Sequence, residues 1–266
     1  MIRVVVTGAA GKMGQECCRA ISQAKDMELV GAVDPGRAGM DLGKIIGIED
    51  VNINIHDNLE MVLQQLKPDV LVDFTTPEVV FENAKICFNS KVRPVIGTTG
   101  MTGEQIQELQ DLAKNNQIGG LLAPNFAIGA LLMMKFSAMA AKFFPNVEII
   151  ELHHDQKIDA PSGTAIKTAE AIADVRGNFR QGLPTEYEKI AGVRGGDFEG
   201  MHIHSVRLPG YVAHQEVIFG GTGQTLTIRH DSISRESFMP GLLIGIRKVM
   251  TIQKLVYGLD NLIFEE

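Results

Sequence analysis

The segment from Met1 to Asp34 combines an apolar run, a glycine-rich turn and a second apolar run, and few folds accommodate that order. The run from Ile2 to Val6 is β-branched, as expected for a buried parallel strand. It leads into the sequence GAAGKMG, from Gly8 to Gly14. Glycines there permit a tight turn and let the backbone approach a pyrophosphate, whose charge is met by N–H groups at the start of a helix.

The acidic residue that follows the second apolar run strengthens this interpretation. The predicted strand from Glu28 to Val33 ends at Asp34, and a carboxylate at that position can accept hydrogen bonds from the ribose hydroxyls of an adenosine. Strand, glycine turn, helix, strand and acid together predict a dinucleotide-binding unit. A glycine-rich turn in another kind of α/β protein is the alternative that the glycines alone leave open.

Three more strand-and-turn segments continue the same alternation. They are DVLVDFTTPE, RPVIGTTGMTGEQ and GGLLAPNFAIG, and helical patterns at Leu59 to Leu66, Val79 to Phe88 and Ile106 to Ala113 separate them. Strands that alternate with helices predict an α/β fold with a Rossmann-type, doubly wound parallel sheet. Ligands of such sheets bind beyond the carboxyl ends of the strands. The residues expected along that rim are Thr75, Thr76, Gly97, Thr98, Thr99, Ala123, Pro124, Asn125 and Phe126.

A second architecture is predicted after residue 126. AIGALLMMKFSAMAAKFF has a helical pattern, whereas HIHSVRLPGYVAHQEVIFGG and TGQTLTIRHDS alternate as antiparallel strands. The tail FMPGLLIGIRKVMTIQKLVYG returns to helical spacing and is expected to pack on the first domain. We therefore predict a dinucleotide-binding domain at 1–126, completed by the helical region 239–266. A second α+β domain with a mixed or antiparallel sheet, at 127–238, would bind substrate, carry catalysis and mediate oligomerisation.

Charge and cysteine content exclude several functional classes. The formal net charge of −7 argues against binding to nucleic acid or to an anionic membrane. The sequence has neither the layout of a signal peptide nor an apolar run long enough to span a bilayer. Three cysteines without metal-type spacing favour a cytoplasmic protein without disulfides. His202 and His204 would share one strand face, but no nearby cysteine or acidic pair completes a metal site, although distant residues could, and no metal is predicted.

The central segment ELHHDQKIDAPSGTA combines several residue types that can bind or react with a ligand. A strand from Val147 to Leu152 would end at two histidines, His153 and His154, and the polar residues after them indicate a break in the strand. Lys157 would then lie in a loop, and Pro161 in the first turn of the next helix. That helix start would offer backbone N–H groups and hydroxyls to an anion, from Ser162, Gly163 and Thr164.

An anion seat, a fixed cation and a titratable imidazole fit the reduction of an anionic substrate with delivery of a proton. A buried histidine pair beside a capped helix is the purely structural alternative. The central motif closely resembles that of the 4-hydroxy-tetrahydrodipicolinate reductase family, also called dihydrodipicolinate reductases. The resemblance extends over nearly the whole chain, through VTGAAGKMG, VDFTTPE, VIGTTG, APNFAIG and SVRLPGYVAHQEVIFGG.

The resemblance implies an enzyme of lysine and diaminopimelate biosynthesis. It would reduce the cyclic dicarboxylate 4-hydroxy-tetrahydrodipicolinate to tetrahydrodipicolinate with NADH or NADPH and loss of water. A homotetramer assembled through the sheet of the second domain is also implied. The catalytic residues would be His153 and Lys157, and the substrate contacts His154, Ser162, Gly163 and Thr164. The cofactor contacts would be Gly8, Ala9, Ala10, Gly11, Lys12, Met13, Asp34, Arg37, Gly97, Thr98, Thr99, Ala123, Pro124, Asn125 and Phe126.

One departure from the family concerns cofactor choice. Many relatives have Glu-Arg at the end of the second strand, whereas this chain has Asp34, Pro35, Gly36 and Arg37, so the preference between NADH and NADPH stays open.

Other classes of nucleotide-binding protein fit less well. A short-chain dehydrogenase needs Tyr-x-x-x-Lys, which none of the three tyrosines provides. A semialdehyde dehydrogenase needs a nucleophilic cysteine near the nicotinamide, but Cys87 lies within a helical pattern. A non-catalytic Rossmann-type nucleotide sensor leaves the central motif unexplained.

Overall fold

The computed structural model describes residues 1–264. The strands are β1 Ile2–Thr7, β2 Met27–Val33, β3 Val70–Asp73, β4 Arg93–Ile96, β5 Gly120–Leu122, β6 Asn146–His153, β7 Gly196–Phe198, β8 Met201–Arg207, β9 Ala213–Gly221, β10 Gln224–Ser232 and β11 Leu255–Tyr257. The α-helices are α1 Lys12–Gln23, α2 Leu42–Ile46, α3 Leu59–Leu66, α4 Val80–Asn89, α5 Gly103–Asn116, α6 Ile128–Ala141, α7 Gly163–Arg176, α8 Met239–Val249 and α9 Asp260–Ile263. Two compact units form, one from Met1–Phe126 with the chain from Phe238 onward, the other from Ala127–Ser237.

The first unit is built on a six-stranded sheet in the order β11-β5-β4-β3-β1-β2. Every pairing in it is parallel, so the predicted doubly wound parallel sheet is confirmed. Val4, Val5 and Val6 have no solvent exposure, as expected of a strand that is covered on both faces. The helix predicted at Leu59 to Leu66 is confirmed as α3.

The spacing of Thr102 and Gln105 in the sequence predicts a capping box before α5, and this prediction is confirmed. The Thr102 hydroxyl accepts from the Gln105 amide at 3.2 Å, and the Gln105 side chain accepts from the Thr102 amide at 2.9 Å. These bonds satisfy two backbone donors at the helix start and fix where α5 begins.

The C-terminal segment differs from its predicted helical pattern. Helix α8 packs against β4 and β5, but it ends at Val249, and β11 then pairs with β5 from Leu255 to Tyr257. The prediction of a helix through Tyr257 was therefore wrong. Three residues are too few to show a strand period, and the apolar residues of β11 continue the spacing of the preceding helix.

The second unit has a five-stranded sheet in the order β10-β9-β6-β8-β7, covered on one face by α6 and α7. Pairings β6–β9, β9–β10 and β7–β8 are antiparallel, whereas β6 and β8 run parallel. The predicted mixed sheet is confirmed, but the antiparallel pairing expected of β8 was wrong with respect to β6. A crossover through α7 returns the chain to the far side of β6 in the same direction, which sequence alternation cannot reveal.

No helix within residues 1–264 combines the length and hydrophobicity that crossing a bilayer requires.

Candidate active site

The glycine turn after β1 is a close-packed backbone structure. Gly8 has φ 71°, and a Cβ there would lie 2.4 Å from the Phe74 carbonyl oxygen. A Cβ on Gly14 would lie 2.0 Å from the Gly8 oxygen, so Gly14 allows α1 to contact the turn itself. Gly11 caps α1, which starts at Lys12. Its first amides point out of the helix end, the arrangement that suits a pyrophosphate.

Asp34 links the end of β2 to this turn. Its Oδ2 accepts from the Ala10 amide at 3.1 Å, and its Oδ1 accepts from the Gly36 amide at 3.2 Å. The second bond caps a short 3-10 turn, Pro35–Arg37, in which the Arg37 amide donates to the Asp34 carbonyl at 3.0 Å. The exposed Arg37 side chain therefore starts one turn away from the Asp34 carboxylate. Each carboxylate oxygen keeps a further lone pair for a ribose hydroxyl.

Asp73, at the end of β3, organises the rim and was missed in the sequence. The residue is 1% exposed, yet four donors satisfy its carboxylate. Oδ1 accepts from the Thr75 amide at 2.9 Å, the Thr75 hydroxyl at 2.6 Å and the Thr98 hydroxyl at 3.0 Å, and Oδ2 accepts from Asn83 at 2.8 Å. The hydroxyl protons of both threonines are thus directed inward, so these two hydroxyls can offer a ligand only hydrogen-bond acceptors. An acid that ends an otherwise apolar strand is the signal that could have identified it.

The other predicted rim residues follow β4 and β5. A Cβ on Gly97 would lie 2.2 Å from the Phe74 ring, which itself stands 5.8 Å from the Phe126 ring between centroids. The Ala123 amide donates to the Ile96 carbonyl at 2.9 Å. The structure therefore brings the carboxyl ends of β1, β3, β4 and β5 to one edge of the sheet, with the predicted cofactor residues along it.

In the second unit, β6 ends at His153 and a turn follows, as the sequence indicates. His153 is largely buried, and its Nδ1 is hydrogen-bonded to Glu151. His154 is exposed, and its carbonyl accepts from the Lys157 amide at 3.2 Å. The Lys157 ammonium lies 2.6 Å from Asp159 Oδ1. The pKa of the Asp159 carboxyl is lowered, chiefly by that hydrogen bond.

The helix start after the loop differs in detail from the prediction. Helix α7 begins at Gly163 with Ser162 as its N-cap, so Pro161 precedes the helix and does not occupy its first turn. The Ser162 hydroxyl accepts from the Ala165 amide at 3.2 Å, and the Ser162 amide donates to Glu151 Oε1 at 3.3 Å. The hydroxyl and the amide of Ser162 are thus both engaged in hydrogen bonds within the unit. A Cβ on Gly163 would meet no heavy atom within 4 Å, so the open approach to this turn is at Gly163.

In the second unit, Glu151 and Arg207 are site residues that the sequence interpretation missed. Glu151 is completely buried, and Arg207 of the neighbouring strand grips it with two bonds, of 2.9 Å to Oε2 and 2.7 Å to Oε1. Burial alone would raise the pKa of Glu151, but hydrogen bonds from His153, Arg207 and Ser205 bring it down to about 2. Val147 and Ile149 mark the buried face of β6, and an acid at the next position of that face was a usable signal.

The opposite face of β6 carries a separate polar cluster. His204 Nε2 lies 2.6 Å from Glu148 Oε2, and His202 Nδ1 lies 3.7 Å from Glu148 Oε1, which also accepts from Arg194 at 2.8 Å. These side chains do not share the face of His153. Within residues 1–264, no group of three or more His, Cys, Asp and Glu side chains is arranged to hold a metal ion.

Comparisons with known proteins agree over the whole length of the chain. The family model described as dihydrodipicolinate reductase, N-terminus, matches residues 2–126, and the C-terminus model matches residues 129–263. The chain is 55% identical over 261 residues to the 4-hydroxy-tetrahydrodipicolinate reductase of Desulfitobacterium hafniense strain Y51, covering 98% of each. It is 54% identical over 263 residues to that of Oceanobacillus iheyensis, covering 98% of this chain and 99% of the relative.

Solved structures extend the likeness to three dimensions. The dipicolinate-bound dihydrodipicolinate reductase of Paenisporosarcina sp. TG-14 superposes with a TM-score of 0.89 at 51% identity, covering 99% of this chain and 100% of that one. An amine dehydrogenase from Mycobacterium smegmatis, 17% identical, superposes with a TM-score of 0.68 over 98% of this chain and 96% of that one. The second likeness concerns the fold alone.

Proposed function

The chain belongs to the 4-hydroxy-tetrahydrodipicolinate reductase family, and from this premise we propose how its residues divide the reaction. Its activity is that of an oxidoreductase in lysine and diaminopimelate biosynthesis, and its family uses a reduced nicotinamide cofactor. The reaction consumes a hydride and a proton. We assign hydride supply to the first unit, through the cofactor it binds, and proton supply to the second.

The first unit would hold NADH or NADPH along the rim described above. The amides at the start of α1 would bind the pyrophosphate, Asp34 and Arg37 would contact the adenosine ribose, and the turns after β4 and β5 would receive the nicotinamide. The clashes that a Cβ would cause at Gly8 and Gly14 support this fit, because only a bare backbone packs so tightly there. When bound, the cofactor supplies the hydride.

The second unit would bind the cyclic dicarboxylate. The relative from Paenisporosarcina is described as dipicolinate-bound, and dipicolinate is a planar ring with two carboxylates. In this chain, the amides of Gly163 and Thr164 would bind one carboxylate at the start of α7. Lys157 and His154, on the loop before that helix, would contact the rest of the substrate.

His153 would donate the proton. Its Nδ1 faces Glu151, so Nε2 is the ring nitrogen left to carry a proton to the substrate. Loss of water from the substrate leaves a conjugated imine, and hydride addition to one end of it requires a proton at the other. One observation carries this assignment. Strand β6 ends at His153 and helix α7 begins at Gly163, so an imidazole, the Lys157 ammonium and an open helix end lie within eleven residues of the chain.

The experiment is a spectrophotometric assay of nicotinamide oxidation with freshly prepared substrate. We expect turnover in the wild type and its loss in His153→Ala, with cofactor binding retained in both. A non-catalytic nucleotide sensor would bind the cofactor and oxidise none, and that result would refute the proposal.

We also propose a homotetramer assembled through the sheet of the second unit. The loop between α7 and β7, an edge strand of this sheet, exposes large apolar side chains, with Leu183 at 74%, Tyr187 at 76% and Ile190 at 71% exposure. Exposed apolar side chains of this size are typical of surfaces that contact another protein chain. Light scattering should give four times the 29.0 kDa chain mass, and a monomeric mass at micromolar concentration would contradict assembly.

A further inference from the structure

The buried carboxylate of Glu151 stands behind the ring of His153, where the proposed chemistry takes place. We propose that Glu151, held by Arg207, is a positioning residue that fixes His153 as the Nδ1–H tautomer and stabilises its protonated ring, a role that depends on the proposed function of His153. Glu151 thereby keeps the transferable proton on Nε2.

Besides the Ser205 side chain, three residues make four hydrogen bonds to this carboxylate. Oε2 accepts from Arg207 at 2.9 Å and faces His153 Nδ1, while Oε1 accepts from Arg207 at 2.7 Å and from the Ser162 amide at 3.3 Å. An arginine stays charged in proteins, so its two-pronged contact keeps Glu151 ionised. An ionised carboxylate can only accept hydrogen bonds. His153 Nδ1 must therefore be the donor, and Nε2 is the nitrogen that gains and loses the proton.

Among the charged groups near His153, one anion is in direct contact with its ring. Glu151 is the anion in contact with the ring, and the Arg207 guanidinium is paired with Glu151. On the loop, the Lys157 ammonium is paired with Asp159 at 2.6 Å. From β9, the residue in register with Glu151 is the neutral Gln215, and α7 contributes the neutral Ser162 at its start. The arrangement that results is one carboxylate at hydrogen-bond distance from the His153 imidazole, with neutral side chains beside it.

Arg207 extends the same support to the neighbouring loop. Its second terminal nitrogen donates to the Asp159 carbonyl at 2.8 Å, and the Leu208 amide donates to the His153 carbonyl at 3.0 Å. His153, the loop that carries Lys157 and the start of α7 are thus all hydrogen-bonded to the Glu151–Arg207 ion pair. A pair so placed holds several catalytic groups in register with one another.

The proton balance is simple. Protonated His153 gives its Nε2 proton to the substrate and remains as the neutral Nδ1–H form. Nε2 then takes a proton from water before the next turnover. No proton passes to Glu151, which stays ionised throughout, as the acid in a histidine–carboxylate pair does in other enzymes.

The test compares Glu151→Gln with Glu148→Gln. Glutamine at 151 keeps the size of the side chain but loses its charge, and its amide can donate to Nδ1 and favour the opposite tautomer. We expect kcat to fall by about tenfold or more, KM to stay within about twofold, and the alkaline limb of the kcat–pH profile to move about one unit lower. Glu148, which also lies on β6, is a matched control because it pairs with a histidine and an arginine but faces away from His153. The Glu148→Gln variant should keep the wild-type kcat and the wild-type alkaline limb.

Nitrogen-15 spectra of the wild-type histidine rings provide a test that does not depend on folding of the variant. Above the titration of His153, its ring should carry the proton on Nδ1, and an Nε2–H tautomer would overturn the inference. The His153→Gln variant distinguishes failure of the proposed acid, His153, from failure of the positioning role of Glu151. If it keeps full turnover, the proposed acid itself is wrong. If it abolishes turnover while Glu151→Gln leaves the alkaline limb unmoved, only the positioning role of Glu151 is refuted.

Discussion

The Lys157 ammonium lies 2.6 Å from Asp159 Oδ1, and the two side chains differ in their contact with water. The side chain of Lys157 is 20% exposed, whereas that of Asp159 is 65% exposed. The Lys157 side chain is therefore mostly enclosed by protein, whereas its partner Asp159 is mostly exposed to solvent. An ion pair with one solvated member contributes little stability, so a substrate carboxylate can replace Asp159 at small cost.

Replacement of Lys157 by alanine should reduce turnover by roughly two to four orders of magnitude, the scale of a lost acid/base group. NADH affinity should change little, because Lys157 belongs to the second unit. Steady-state kinetics and NADH titration by fluorescence measure the two quantities. Lys142→Ala, which removes an exposed lysine of the same unit, serves as the control and should behave as wild type. Near-normal turnover of Lys157→Ala would end the assignment.

Gly163→Val should raise the KM for the substrate strongly while the fold survives. A Cβ at Gly163 meets no protein atom within 4 Å, so the side chain costs little in packing and would project where a carboxylate must approach the amides. Gly103→Val is the matched control, because Gly103 is also the first residue of a helix with open space around its Cβ. The KM of the control should not change. Unchanged KM and turnover in a folded Gly163→Val protein would mean that the turn is only a helix cap.

Contiguous patterns made much of the fold predictable. Helix α3 and the Thr102–Gln105 capping box each depend on residues within one short segment, so the sequence reveals them directly. Strand β11 was missed because its three residues have no period of their own. The parallel pairing of β8 with β6 was missed because it depends on a crossover and not on either strand.

The buried acids show why part of the site escaped sequence interpretation. Glu151 is held by Arg207, 56 residues away, and Asp73 by Thr98, 25 residues away. No local pattern encodes such partners, although an acid on a buried strand face already indicates that partners exist, since an unpaired buried charge is too costly to retain. The residues near the helix starts were easier to identify, because glycines and capping residues act within one turn.

Asp73→Ala should destabilise the first unit and weaken cofactor binding together. The substitution removes the acceptor of four hydrogen bonds and leaves the donors of buried Thr98 and of partly buried Thr75 and Asn83 without it. We expect the free energy of unfolding to fall by on the order of 3 kcal/mol. Denaturant unfolding and cofactor titration are the measurements. Thr98→Val removes one of the four bonds and should have a smaller effect on both, and equal effects of the two variants would contradict this role of Asp73.

The stabilisation due to Glu151 should depend on pH with a definite sign. Its pKa is lowered from 4.5 to about 2 in the folded chain, so the folded state binds its proton less readily than the unfolded state. The resulting contribution is fully present above about pH 5 and is lost as the pH falls toward 2. The difference in unfolding free energy between wild type and Glu151→Gln should therefore shrink from pH 6 to pH 3.5 in urea titrations. A difference that stays constant over this interval would show that the charge of Glu151 does not contribute.

Arg37 should decide how well the chain accepts NADPH. We expect the Asp34 carboxylate to favour the free ribose 2′-hydroxyl of NADH and to repel a 2′-phosphate. The 3-10 turn that Asp34 caps places Arg37 one turn away with an exposed side chain, so its guanidinium can pair with the phosphate and offset that repulsion.

With one acid opposed by one exposed arginine, we expect the chain to use both cofactors with a slight preference for NADH. Arg37→Ala should weaken NADPH binding by about tenfold, near 1.4 kcal/mol, and leave NADH binding almost unchanged. Calorimetric Kd values for both cofactors provide the measurement, with Lys44→Ala, whose side chain is 85% exposed, as a control for nonspecific loss of positive charge. Equal losses for the two cofactors would mean that Arg37 does not recognise the 2′ position, and an exclusive NADPH requirement in the wild type would refute the role given to Asp34.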